Sequence, residues 1–218
     1  MGKITIVGNE QISPKEASDL EQSLQKPPET ERGVRFLLGH GNVLGLKDGK
    51  KLIGITESIS IDVLLHPKFE EALNSLPEFS PLKQIVDREK SQFYHPLTSI
   101  KKMYPGRRAY HYAHGIAVKD KGIGMGTKLM AERLEKILGP DDLMFGYTSA
   151  QPVNIPLLML YLKFGGAVFK VEQVYESGKP YFGIVCDPKT EYSDKGIRVP
   201  LSEYFLRRAQ ADRAHNGE

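Results

Sequence analysis

Apolar and polar residues near the start of the chain are arranged as in a short strand followed by an amphipathic helix. The β-branched run at 3–7 predicts the strand. Ser13 can cap a helix, Pro14 suits its first turn, and Glu16 completes a capping box. Apolar residues then recur at helical spacing until the prolines at 27–28 end the pattern. We therefore expect one helix between Ser13 and these prolines.

The next apolar runs predict a β-hairpin. They lie at 43–46 and 51–59 and flank the dipeptide Asp48-Gly49. This dipeptide favours a tight hairpin turn because both of its residues tolerate positive φ. The apolar run just upstream, at 34–38, is compatible with a strand or with the end of a loop, and the pattern does not decide between them.

The segment 61–108 is a helical excursion with a looser pattern. Amphipathic spacing predicts one helix over 67–76 and a second around 82–93, and prolines punctuate the rest. Because such segments often carry specificity, we expect it to shape a binding pocket. Its aromatic and histidine side chains suit the core and a pocket wall equally well: Phe69, Phe79, Phe93, Tyr94, His95 and Tyr104.

From Tyr110 onward, strand and helix patterns alternate. The runs at 110–118 and 143–148 predict strands separated by a helix that opens at Thr127, and a further helix and a hairpin follow, with hairpin strands at 167–175 and 181–186. The whole pattern predicts an α/β fold, a mixed central sheet with helices on both faces. We expect a single domain over 1–218, in which 188–218 is a polar C-terminal extension with a short helix at 201–214.

A glycine-rich turn lies between the strand at 110–118 and the helix at Thr127. Its glycines stand at Gly122, Gly124 and Gly126. A strand that feeds such a turn at a helix N-terminus favours phosphate, because glycine lets the backbone approach the ligand and the free N–H groups of the helix point at it. The spacing is neither that of a dinucleotide fingerprint nor that of a P-loop. A plain tight turn is the alternative.

Two motifs in this half of the chain resemble the GNAT superfamily of acyl-CoA-dependent N-acyltransferases. The run from Lys121 to Gly126 is similar to the family's pyrophosphate loop, with Lys121 in place of the usual Gln or Arg. Further along, Asn154, Leu160, Tyr161 and Gly165 match a second family motif position for position. The resemblance covers roughly 110–188, and it implies the GNAT fold with acetyl-CoA or another acyl-CoA as co-substrate.

The resemblance also implies which residues bind the cofactor. The strand before the loop aligns the pantetheine arm through its backbone, and the loop with the helix N-terminus binds the pyrophosphate. Lys128 contacts phosphate or covers the helix surface. Asn154 contacts the cofactor, caps its helix as asparagine often does, or does both. The implied cofactor-binding residues are Ile116, Ala117, Val118, Lys121, Gly122, Ile123, Gly124, Met125, Gly126, Thr127, Lys128 and Asn154.

Acyl transfer to an amine needs a base, an oxyanion donor and an acid for the leaving thiolate. By resemblance the acid is Tyr161, whose alternative role is that of an amphipathic tyrosine at the surface. Period-two alternation places Tyr112, His114, Ile116 and Val118 on one strand face. His114 is the candidate base, because histidine titrates near neutral pH and arylalkylamine N-acetyltransferases of this superfamily carry a histidine at about this position.

Other assignments of the base stay open. Glu57 on the upstream strand competes with His114, many members of the family need no dedicated base, and a histidine satisfied by a neighbouring backbone group is the alternative for His114. His111 falls on the opposite strand face and is expected to be structural. Arg107 and Arg108 either form a solvated pair or bind a carboxylate or phosphate.

Composition narrows the class of protein without changing this picture. The 218 residues are 40% hydrophobic and 26% charged, which is typical of a globular domain. The net charge of +3 is too small to indicate nucleic-acid binding. No apolar run approaches the roughly 18 residues of a membrane span, and the start of the chain lacks a signal peptide's apolar core, so we expect no membrane and a cytoplasmic location.

Cysteine and histidine usage argues against two further classes of site. Cys186 is the only cysteine, so no internal disulfide can form, and its apolar surroundings favour a packing role over a nucleophilic one. The histidines show no metal-liganding spacing with cysteine or clustered carboxylates, so no metal is expected: His66, His95, His111 and His114.

The sequence thus predicts an N-acetyltransferase that acylates a small-molecule or peptide amine, and it leaves a homodimer open. A non-catalytic acyl-CoA-binding sensor or interaction module with the same fold is the alternative. A nucleotide-binding enzyme ranks third because no proper P-loop is present. The acceptor and the length of the acyl chain are not encoded in these motifs.

Overall fold

A seven-stranded sheet with helices on both faces forms the centre of the protein. The computed structural model describes residues 4–24, 28–91, 95–119, 124–150, 154–172, 180–187, 191–194 and 197–200. The strands are β1 (Ile4–Val7), β2 (Asn42–Asp48), β3 (Lys51–Ser60), β4 (Tyr110–Val118), β5 (Leu143–Ser149), β6 (Ala167–Glu172), β7 (Tyr181–Cys186), β8 (Glu191–Asp194) and β9 (Ile197–Pro200). The α-helices are α1 (Pro14–Leu24), α2 (Glu31–His40), α3 (Ile61–Leu64), α4 (Glu70–Asn74), α5 (Pro81–Glu89), α6 (Pro96–Met103), α7 (Met125–Ile137) and α8 (Ile155–Lys163).

The strand order of the central sheet is β1-β2-β3-β4-β5-β7-β6, and β8 pairs with β9 in a separate two-stranded sheet. Neighbouring strands are antiparallel except for β4 and β5, which are parallel and are connected through α7. Side chains of α1, α2, α5 and α6 join one core on the first face, and those of α7 and α8 pack on the other. We call these the α1 face and the α7 face. The predicted mixed sheet with helices on both faces is confirmed.

Most predicted elements appear near their predicted bounds. The hairpin of β2 and β3 turns at Gly49, which has a φ of 61°. Ser13 accepts a hydrogen bond from the Glu16 N–H at 3.1 Å, as a cap should. The carboxylate of Glu16 turns to the sheet, where it accepts from the Leu52 N–H at 2.9 Å and from Lys47 at 3.2 Å. Ser13 is therefore the cap that the sequence predicted, but the Glu16 side chain contacts the sheet, which the predicted capping box did not indicate.

Several elements differ from the sequence pattern. The undecided run at 34–38 lies inside α2, which Thr30 caps. The predicted helix over 67–76 is a 3-10 turn followed by the short α4, and α6 and the β8–β9 hairpin were not predicted. The helix proposed at 201–214 lies outside the described residues.

The helical excursion between β3 and β4 packs into the main core of the α1 face. Leu82 and Ile85 of α5 and Leu97 and Ile100 of α6 are fully buried there, together with Val34 and Leu37 of α2. The excursion is thus continuous with the packing around the sheet. Phe69 and Tyr104 pack against this core, whereas Phe79 is 66% exposed.

Ion pairs tie the start of β4 to its neighbours. Arg108 makes a bidentate contact with Asp142, at 2.9 Å from each nitrogen, and Arg107 contacts Asp187 just after β7. Neither arginine lines the cavity described below. His111 lies nearby, with its Nε2 3.8 Å from Asp142, and burial is the main cause that lowers the pKa of this histidine. The structural role expected for His111 is confirmed, and the two arginines are paired within the protein.

Candidate active site

A cavity opens where the parallel strands β4 and β5 part. The two strands pair only from Tyr110 to Ala113, and beyond this point β4 continues with β3 while β5 continues with β7. The resulting gap has a volume of about 540 Å³. Its walls comprise residues 113–118 of β4, 124–127 at the N-terminus of α7 and 147–149 of β5, together with Leu24, Pro81, Asn154, Pro156, Leu157, Leu160, Tyr161, Lys163 and Tyr181.

A β-bulge at His114 shapes this edge of the cavity. Glu57 of β3 pairs with Gly115 and Ser58 pairs with Ala113, so His114 is the extra residue of β4. A bulge bends its strand and shifts the alternation of side chains by one position. The part of β4 beyond His114 therefore diverges from β5.

The bulge also corrects a prediction about the faces of β4. Tyr112 and His114 were expected to share a face with Ile116 and Val118. The rings of Tyr112 and His114 do lie together, 6.0 Å apart and on the α1 face. Ile116 and Val118 pack on the α7 face. The prediction failed because strict alternation does not survive an inserted residue.

The glycine-rich turn leads into α7 as predicted, and the helix starts two residues earlier than expected, at Met125. Gly124 precedes it with a φ of 80°, a left-handed conformation that favours glycine. Residues 124–127 line the cavity, so the free N–H groups of the first turn of α7 border it. Lys128 is exposed and is not among the lining residues. Lys121, Gly122 and Ile123 lie outside the described residues.

The second sequence motif lies on the opposite wall. Asn154 precedes α8, and its side chain accepts a hydrogen bond from the Leu157 N–H at 3.3 Å. The capping role of Asn154 is therefore confirmed, and the same residue lines the cavity. Leu160 and Tyr161 follow on the part of α8 that faces the gap. Asn154, Leu160 and Tyr161 thus lie across one cavity from Gly124 and the start of α7, whereas Gly165 is not among the lining residues.

Tyr161 is buried in this wall, with a relative exposure of 3%. Burial is the main cause that raises the pKa of Tyr161 above its ordinary value, and the nearby Arg133 partly opposes the rise. Its hydroxyl thus keeps its proton at neutral pH and can donate it. Gly146 on β5 lacks a Cβ that would otherwise stand 2.9 Å from the Ala113 carbonyl oxygen and 3.3 Å from this hydroxyl.

Arg133 of α7 is a buried cation that the sequence did not single out. Its side chain is fully buried, donates to the carbonyl oxygen of Gly115 next to the bulge, and lies 3.8 Å from the Met144 sulfur. One feature of the sequence does indicate that Arg133 is buried. Arg133 falls between Met130 and Leu134 on the apolar stripe of α7, where an exposed arginine is not expected.

Three buried glutamates from separate segments meet beneath His114 on the α1 face. We call Glu21 of α1, Glu29 before α2 and Glu57 of β3 the acidic cluster. Nε2 of His114 lies 3.3 Å from Glu29 Oε2 and 4.0 Å from Glu57 Oε2, and the His114 side chain is only 2% exposed. Burial, followed by the charges of Glu21 and Glu29, raises the pKa of Glu57 well above its ordinary value.

The two candidate bases of the sequence, His114 and Glu57, are thus neighbours. One potential ligand atom from each of Glu21, Glu57 and His114 lies within 4.8 Å of the other two, a spacing that is compatible with a bound cation. No sequence spacing indicated this group because its members come from three distant elements.

Glu57→Gln is expected to stabilise the protein at neutral pH by about 1–3 kcal/mol, because glutamine cannot ionise in a site where burial disfavours the charged carboxylate. Since the pKa of Glu57 is raised, the native state holds this proton to higher pH than the unfolded chain. The contribution of Glu57 to stability is complete below its ordinary pKa of 4.5 and is lost as pH rises towards the folded-state pKa. The difference in Tm between variant and wild type should therefore grow with pH above this value. A difference that does not change with pH would contradict the assignment.

Two further expectations concerned the packing role of Cys186 and the absence of a membrane-spanning helix. Cys186 is buried, and burial raises the pKa of its thiol to about 12, so it remains a packed thiol as predicted. Within the described ranges, no helix combines the length and the apolar character that crossing a bilayer requires.

Comparison with known proteins identifies the fold. No protein-family model and no curated protein matches the sequence. Among solved structures, the NatC complex bound to Gag peptide and CoA has a TM-score of 0.57 at 16% identity, over 86% of this chain and 99% of that chain. The Escherichia coli ribosomal-protein-S18-alanine N-acetyltransferase has a TM-score of 0.53 at 13% identity, over 89% and 99%. The protein has the GNAT fold.

A third solved structure supports the same identification. Arabidopsis thaliana NAA60 in complex with acetyl-CoA has a TM-score of 0.54 at 14% identity, over 84% of this chain and 98% of that chain. The GNAT fold predicted from the two motifs is therefore confirmed. The helical excursion connects β3 and β4, which are adjacent in the central sheet.

Proposed function

We propose that the protein transfers an acetyl or other acyl group from coenzyme A to a primary amine within the cavity between β4 and β5. The observation that carries this proposal is the convergence on one cavity of a helix N-terminus, a buried tyrosine and a histidine backed by carboxylates. Acetyl-CoA would supply the activated thioester. NatC and NAA60, which share the fold, were solved with CoA and acetyl-CoA respectively.

The residues fit a coenzyme A ligand on this wall. The N–H groups at the start of α7 provide donors for a pyrophosphate, and Gly124 allows close approach of the backbone. The backbone of Ile116, Ala117 and Val118 borders the cavity on the same side and would align the pantetheine arm. Asn154 borders it from the other wall. Lys121, Gly122 and Ile123 keep their proposed role by resemblance.

The chemistry is assigned to Tyr161 and His114. The imidazole of His114, directly or through water, takes a proton from the ammonium of the acceptor. The amine nitrogen then forms a bond to the thioester carbon, and the carbon–sulfur bond breaks. Tyr161 donates its hydroxyl proton to the leaving thiolate, and the second proton that the nitrogen loses as the amide forms returns to the Tyr161 oxygen.

The excursion is proposed to contribute to the acceptor end of the site. Pro81, at the start of α5, lines the cavity together with Leu24 of α1. Tyr147 and Tyr181 line it from β5 and β7. These side chains offer an apolar and aromatic surface next to His114, which suits the carbon skeleton of a small-molecule or peptide amine.

Acetyl-CoA is expected to raise the Tm of the protein by about 5–10 °C, whereas ATP and NAD should not. A ligand at about 100 times its Kd stabilises by roughly 2.7 kcal/mol, and each kcal/mol shifts the Tm of a domain of this size by about 2–4 °C. A thermal-shift titration measures this. The same sample is then screened with primary amines for release of free CoA. Absence of a shift with acetyl-CoA would refute the proposal, and a shift without amine-dependent release would favour a sensor.

A further inference from the structure

The Glu29 carboxylate is held by the N-termini of two helices. Its Oε1 accepts from the N–H of Thr30 at 2.7 Å and from the Thr30 hydroxyl at 3.1 Å, and its Oε2 accepts from the Leu82 N–H at 3.0 Å. Thr30 is the N-cap of α2, and Leu82 lies in the first turn of α5. N–H donors and helix N-termini both favour the ionised form of a carboxylate. Glu29 is therefore a buried carboxylate that is fixed in place by donors on both of its oxygens.

Gly33 shows how closely this carboxylate is fitted to α2. A Cβ at Gly33 would stand 2.2 Å from Glu29 Oε1, which no side chain could tolerate without displacing the carboxylate. The first turn of α2 thus leaves a space that Glu29 fills. Since Glu29 is 1% exposed, water does not compete for its oxygens.

The Glu29 oxygen that accepts from Leu82 also faces the bulge of β4. This oxygen, Oε2, lies 3.3 Å from Nε2 of His114, and among the described residues no other carboxylate lies as close to this ring. His114 borders the cavity, so it is the link between the acceptor end of the site and the acidic cluster. A carboxylate held against one nitrogen of a histidine fixes the ring and stabilises its protonated form, as in hydrolytic triads.

The other charged groups around His114 leave this role to Glu29. From β3, Glu57 faces the ring at 4.0 Å, which is farther than Glu29, and burial raises the pKa of Glu57 and so disfavours its charged form. Glu21 of α1 accepts from the Glu29 N–H at 2.8 Å and faces Glu57. Arg133 of α7 reaches the bulge from the opposite face through the Gly115 carbonyl, and it does not contact the ring.

We propose that Glu29 is the positioning residue of His114: it fixes the imidazole in the bulge and stabilises the imidazolium that forms when the ring takes the acceptor's proton. The excursion then also positions Glu29, because α5 supplies one of the N–H groups that hold this carboxylate in place. This inference rests on the proposed function, and its tests separate the two.

Glu29→Gln is expected to lower kcat about 10-fold, equivalent to 1.4 kcal/mol, while KM for acetyl-CoA stays within about twofold. Glutamine cannot stabilise an imidazolium by its charge, so the pH profile of kcat should differ from that of the wild type. The matched control is Glu89→Gln. Glu89 is also a buried glutamate, and it accepts from the N–H groups of Leu97 and Thr98 at the start of α6, but it does not border the cavity.

Glu89→Gln should destabilise the protein about as much as Glu29→Gln does, and it should leave the pH profile of kcat unchanged. If Glu29→Gln has the wild-type kcat and pH profile, or if both variants change them equally, Glu29 is not a positioning residue. A stoichiometric divalent metal in the purified protein that is lost in Glu57→Gln would also overturn the proposal, because a metal-bound imidazole could not take the proton.

A second measurement does not depend on turnover. The ¹⁵N spectrum of the imidazole ring reports which nitrogen carries a proton, and His114→Gln assigns the signal. Glu29→Gln should change this signal in the folded protein, and Glu89→Gln should not. An unchanged signal would contradict the contact between Glu29 and His114. If acetyl-CoA does not bind but the signal changes, the proposed function fails while the positioning contact stands.

Discussion

Tyr161→Phe is expected to lower kcat about 100-fold while the affinity for acetyl-CoA changes by less than about twofold. Loss of a general acid typically costs 10²- to 10⁴-fold in rate. Phenylalanine keeps the packing of the buried ring against the core of the α7 face and removes only the proton donor. Steady-state kinetics with a saturating amine, combined with calorimetric titration of acetyl-CoA, separates the two effects.

Tyr110→Phe is the matched control for this experiment. Tyr110 opens β4, and its hydroxyl donates to the Tyr104 carbonyl oxygen at 2.6 Å, away from the cavity. Removing this hydroxyl should cost about 1 kcal/mol of stability and leave kcat unchanged. If Tyr161→Phe also keeps the wild-type kcat, then solvent protonates the thiolate and the resemblance to the family acid is only structural.

The parts of the site that sequence could predict are local in the chain. Gly124 and Asn154 each sit next to the helix they begin, so a turn signal or a capping preference within a few residues suffices to place them. Tyr161 follows Asn154 on the same helix, and its distance from the cap fixes which wall it occupies. Helical spacing and the order of the strands then bring these residues to one cavity.

The acidic cluster depends on contacts that no local pattern encodes. Glu29 receives a hydrogen bond from Leu82, which is 53 positions away, and it faces a histidine on a third element. No local pattern around Glu29 predicts a buried carboxylate, and the run at 34–38 did not even identify α2 as a helix. Its burial follows from the way the excursion returns over α2, and this is a property of tertiary packing.

The bulge at His114 was not predicted from the sequence for a different reason. Alternation within β4 is a property of one strand, but a bulge is defined by the register between two strands. Glu57 and Ser58 are adjacent on β3, yet their partners Gly115 and Ala113 are not adjacent on β4. The sequence of β4 alone therefore predicted the strand correctly and placed Ile116 and Val118 on the wrong face.

Arg133→Leu is expected to lower the free energy of unfolding by about 3–5 kcal/mol, the range found when one partner of a buried charge network is removed. The guanidinium donates to the Gly115 carbonyl from the α7 face, while the Thr56 hydroxyl donates to the same oxygen at 3.1 Å. Arg133 also lowers the pKa of Glu57, which means that it opposes the negative charge of the acidic cluster. Leucine removes both the donor and the balancing charge, and chemical denaturation measures the loss.

Arg35→Leu provides the comparison at an exposed site. Arg35 of α2 is paired with Glu31 at 3.1 Å, but its side chain is 68% exposed, so its loss should change stability by no more than about 0.5 kcal/mol. If Arg133→Leu is equally mild, the acidic cluster needs no balancing cation from α7, and the Thr56 hydroxyl alone is enough to hold the bulge at the Gly115 carbonyl.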